Sequence, residues 1–71
     1  MNRQTDEVII ASSSEGIGIE LWRNSELIIE IIRNDLKKVR TLTLYKKDLP
    51  LDLIEESIQI FKKEIPWEYQ E

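Results

Sequence analysis

Early in this chain Ile17, Ile19 and Leu21 recur at every second position, and later Leu51, Ile54, Ile58, Phe61 and Ile65 recur at every third or fourth. A spacing of two belongs to strands with one buried face, and a spacing near 3.6 belongs to a helix. The switch restricts the chain to a sheet built first and a helix added last. The fold class expected is therefore α+β: a four-stranded antiparallel β-meander with one C-terminal α-helix packed on one face, ββββα.

Ile17-Gly18-Ile19-Glu20-Leu21-Trp22 alternates most clearly. Val8-Ile9-Ile10-Ala11 is a short β-prone run before it, and Glu26 to Arg33 and Lys38 to Lys46 follow it. Ser12 to Gly16, Arg23-Asn24-Ser25 and Asn34-Asp35-Leu36-Lys37 supply the turns. Gly18 inside a strand marks a close backbone approach or a bulge. One domain is expected over residues 1–71, acting on its own rather than as a piece of a larger protein. It comprises a frayed arm at 1–6, the sheet at 7–46, a helix at 50–64 and a tail at 66–71.

The helix is signalled by Leu51, Ile54, Ile58, Phe61 and Ile65, which form one apolar stripe. Pro50 suits its first turn and Asp48 is placed to cap it. Asp52, Glu55 and Glu56 precede Lys62 and Lys63, an order that complements the helix dipole. Pro66 closes it.

Burying apolar against apolar also suggests a register. Trp22 is set opposite Glu26, Ile19 opposite Ile29, Arg33 opposite Lys38, and Ile10 opposite Ile17. The expected core is Val8, Ile10, Ile17, Ile19, Leu21, Leu27, Ile29, Ile31, Leu42 and Leu44 against the helix stripe. The other sheet face then carries Trp22, Ile28, Ile32, Val39 and Tyr45 among Glu20, Glu30, Thr41 and Thr43.

Chemistry is limited by omission. The 71 residues contain no histidine and no cysteine, the usual sources of a neutral-pH base, a thiolate nucleophile and transition-metal ligands. Ser12, Ser13 and Ser14 have no base to activate them, so they read as loop serines. Gly16-Ile17-Gly18 leads into a strand, whereas a phosphate cradle leads into a helix N-terminus. No enzyme activity, metal or cofactor is expected. A chain of this size supports only about 3–5 kcal/mol of stability from its own core, so burial against a partner or a second copy is a natural supplement.

The formal charge of −4 disfavours nucleic acid and anionic membranes. No apolar stretch approaches a membrane span and the N-terminus has no signal-peptide core, so a cytoplasmic location is expected. The functional expectation is a small acidic protein-interaction module, in concrete form an inhibitor, antitoxin or immunity-type protein. Its partner is a protein, bound through the uncovered sheet face by Trp22, Glu20, Ile28, Glu30, Ile32 and Tyr45. The alternatives are a homodimer pairing through that face, or a weak binder of anionic ligands or nucleic acid through Lys37, Lys38, Arg40, Lys46 and Lys47.

Overall fold

A computed structural model describes residues 6–70. Four strands, β1 (Asp6–Ser12), β2 (Gly16–Arg23), β3 (Glu26–Asn34) and β4 (Val39–Leu44), are followed by one helix, α1 (Leu51–Glu64). The strands form one antiparallel sheet in the order β1-β2-β3-β4. This is the ββββα meander expected from the change of period. Of the arm expected at 1–6, Asp6 belongs to β1, held by two hydrogen bonds from the Arg23 guanidinium; residues 1–5 lie outside the described residues.

The β1–β2 and β3–β4 pairings differ from the expected register by two residues, and β2–β3 differs by one next to its turn and by two beyond a bulge. Ile10 faces Ile19 rather than Ile17, Ile19 faces Ile31 rather than Ile29, and Arg33 faces Arg40 rather than Lys38. A slip of two keeps each side chain on its face, because the strand period is two; apolar patterning therefore cannot detect it. Turn geometry decides. Asn24 and Ser25 both have positive φ, 51° and 66°. They make a two-residue hairpin of the primed type, whose twist matches the strands, so Arg23 and not Trp22 faces Glu26. The next turn uses Asp35 to Lys38, with Lys38 at φ 57° and the Lys37 N–H donated to Asn34 Oδ1.

A bulge exchanges two neighbouring side chains. Leu21 pairs with Ile29 and Trp22 with Leu27, which leaves Ile28 as the extra residue of β3. Leu27, expected in the core, becomes the half-buried cross-strand partner of Trp22. Ile28, expected on the open face, is 1% exposed and belongs to the core.

The helix covers only the central strands, β2 and β3. The core is Ile19, Leu21, Ile28, Ile29, Ile31, Leu53, Phe61 and Ile65. Val8, Ile10, Leu42 and Leu44 lie in the expected rows but on outer strands, beyond the width of one helix, and remain exposed. The helix is also rotated from the expected stripe. Leu53, Ser57 and Phe61 form its buried centre and Leu51 is exposed. Ser57 is small enough for close helix–sheet approach, and its hydroxyl is satisfied by the Leu53 carbonyl at 2.8 Å. Pro50 is the N-cap residue, its carbonyl accepting from Leu53 and Ile54; no side chain caps the helix, Asp48 included.

Gly16 and Gly18 are required by contact with β3. A methyl group at Gly18 would overlap the Ile31 carbonyl oxygen, and one at Gly16 would overlap that of Arg33. Close backbone approach, not a bulge, accounts for Gly18.

Candidate functional site: the helix-free sheet face

Cross-strand partners share a face, so the pairings define the surface that α1 leaves uncovered. Its middle row runs Ile9, Glu20, Glu30, Thr43 across the four strands. A second row runs Ala11, Gly18, Ile32, Thr41, and a third begins Glu7, Trp22, Leu27. None of these positions is basic.

Glu20 and Glu30 are direct cross-strand partners. Like charges in this position are destabilising, and each carboxylate is supported by an aromatic donor. Trp22 donates its indole N–H to Glu20 at 3.1 Å, and Tyr45 donates its hydroxyl to Glu30 at 3.1 Å. The Tyr45 phenol is pushed above its ordinary pKa, first by its hydrogen bond to Glu30, then by desolvation and the Glu30 and Glu20 charges. Both carboxylates retain acceptor positions. They line a shallow groove of about 440 Å³ with Gly16, Ile32, Asn34 and Thr41.

Of the six residues read from the sequence as partner-binding, Trp22, Glu20, Glu30 and Ile32 lie together here, half-buried. Tyr45 joins them at the edge, its N–H donated to the Ile28 carbonyl. Ile28 does not belong to the face. The basic cluster is not one patch. Lys37 and Lys38 precede β4 and Lys46 and Lys47 follow it, about 20 Å apart for a strand of this length. Lys46 pairs with Glu26 at 3.1 Å, and Arg40 is engaged by the tail.

That engagement is the main feature the sequence reading missed. Arg33 is 3% exposed on the helix side of β3. It forks onto Asp35 at 2.8 and 3.1 Å and donates to the Pro66 carbonyl at 2.6 Å. Its cross-strand partner Arg40 stacks between the rings of Trp67 and Tyr69, 3.8 and 4.2 Å from their centroids. Arg40 also donates to the Trp67 carbonyl and the Tyr69 hydroxyl. Gln70 N–H donates to Asp35, and Trp67 meets Phe61 edge-on. The tail is thus a strap over the helix side of β3 and β4 and leaves the opposite face open. The signal was present in the period: Arg33 continues the inward series Ile29, Ile31.

The chain matches no family model, no curated protein and no solved structure. Among the described residues no helix is long and apolar enough to cross a membrane.

Proposed function

We propose that this protein is a non-catalytic interaction module that binds a basic protein surface through its helix-free sheet face. One observation carries the reading: Glu20 and Glu30 sit side by side at the centre of an uncovered face, flanked by Trp22 and Tyr45, with no base in the three cross-strand rows described above. Two adjacent carboxylates suit the guanidinium or ammonium groups of a partner, and the aromatic rings add flat apolar area and cation–π contact. The net charge of −4 accelerates encounter with a cationic partner. An inhibitor, antitoxin or immunity role for a protein in the cytoplasm accords with this chemistry, the protein masking a cationic functional surface on a larger one. The lack of histidine and cysteine supports a binding role over a catalytic one.

The reading is tested by titrating isotope-labelled protein with a short arginine-rich peptide. Chemical-shift changes are expected at Glu20, Trp22, Glu30 and Tyr45, and are expected to vanish at roughly 0.5 M salt. Changes centred on Asp52, Glu55 and Glu56 of the helix would contradict it.

A further inference from the structure

The two edges of the sheet are not equivalent. β4 is guarded: it is the shorter strand, Lys37, Lys38, Lys46 and Lys47 flank it, and the strap crosses Arg40. Lysines and covering segments are the devices that keep an edge from pairing with another chain. Among the described residues β1 has none of them. It is seven residues long, without proline, lysine or bulge, and no described strand lies on its outer side. Val8, Ile9 and Ile10 are exposed on both faces, Ile10 at 54%.

The outward backbone groups can be assigned. Ser13 N–H donates to the Gly16 carbonyl, continuing the β1–β2 register in which Ser12 faces Ile17. Antiparallel alternation then directs residues 11, 9 and 7 toward β2, and leaves Ser12, Ile10, Val8 and Asp6 with backbone groups pointing out. Such an edge can meet a copy of itself in a register that overlaps its full length. Val8 faces Ile10 of the second copy, Asp6 faces its Ser12, and Ile9 faces its own counterpart across the two-fold axis. The acidic ends lie at opposite ends of the seam, so like charges do not meet, and apolar side chains pair on both faces.

We propose that β1 is a dimerisation edge, pairing antiparallel with β1 of a second copy to give a continuous eight-stranded sheet with both helices on one side. The contact is isologous, and the guarded β4 edges end the sheet at two copies. This is independent of the helix-free face, which the pairing extends without covering.

Register gives a sharp test. The protein has no cysteine, so single cysteines report unambiguously. Ile9→Cys places two thiols at a non-hydrogen-bonded pair about 4.5 Å apart between Cα atoms, within disulfide range, and is expected to cross-link nearly completely under mild oxidation. Glu7→Cys, opposite Ala11 of the second copy, is expected to stay largely uncross-linked. Sedimentation at roughly 0.1 mM is expected to give twice the 8.4 kDa monomer mass. Ile10→Pro removes an outward donor without touching β2, and Ile10→Lys adds a charge to the seam; each is expected to weaken the dimer roughly tenfold or more. Leu44→Lys, on the far edge, is expected to leave it intact. A monomer under these conditions would overturn the proposal. So would equal cross-linking of the two cysteine variants, or a dimer broken by Leu44→Lys and kept by both Ile10 variants.

Discussion

The Arg40 guanidinium lies 3.8 Å from the centroid of the Trp67 ring and donates a hydrogen bond to the Trp67 backbone carbonyl. One side chain of the edge strand thereby holds the tail by both its π face and its backbone. A planar, forked cation is needed for both contacts, and lysine does not substitute for it. Arg40→Lys and Trp67→Ala are each expected to lower stability by about 1–2 kcal/mol, and Trp67→Phe by less. Urea denaturation followed by far-UV circular dichroism measures the difference.

Arg33 and Asp35 set an acid-sensitive lock. Hydrogen bonds from the Arg33 guanidinium hold the Asp35 carboxyl below its ordinary pKa of 3.8. A carboxylate with a lowered folded-state pKa adds stability that is complete above the unfolded value and is lost as pH falls through the folded one. Asp35→Asn is therefore expected to be less stable than wild type near neutrality. The two curves should converge once pH has fallen below the folded-state value. Denaturation midpoints across pH 2–7 test this, and parallel curves would exclude the lock.

The bulge makes opposite predictions for two isoleucines of similar sequence context. Ile28, fully buried, is expected to lose about 2–5 kcal/mol on substitution by alanine. Ile32, half-buried on the helix-free face, is expected to lose about 1 kcal/mol. Comparable losses would mean that the bulge is misplaced.

Tyr45 reports on the acidic pair. Its phenol is held above its ordinary pKa by Glu30, so Glu30→Gln is expected to bring the ionisation down in a spectrophotometric titration. The sign for stability follows: the neutral phenol's contribution is present below the unfolded pKa, about 10, and is lost as pH rises through the folded value. An unchanged titration in the variant would break the Tyr45–Glu30 contact.

What could be read from the sequence divides along one physical line. Periodicity identifies the faces, so the meander, the helix and the placing of Glu20, Glu30 and Trp22 on one surface were all legible. Periodicity is blind to a two-residue slip, which in β2–β3 is made up of one residue from the turn with positive φ at Asn24 and Ser25 and one from the bulge. It is also blind to a bulge, so Ile28 and Leu27 exchanged faces. Covering by one narrow helix left Val8, Ile10, Leu42 and Leu44 outside the core, a matter of width that no pattern encodes. The tail clasp needed Arg33 and Arg40 to be seen as cross-strand partners, and only the correct register makes them so.

The most direct measurement is capture of a protein partner from lysate of the source cells, comparing wild type with a Glu20→Lys, Glu30→Lys double variant and with Trp22→Ala. Both variants must retain the wild-type circular dichroism spectrum for the comparison to count. The account predicts a basic protein retained by wild type at low salt, released at high salt, absent with the double variant and reduced with Trp22→Ala. The same protein retained equally by all three, at low and high salt alike, would contradict it.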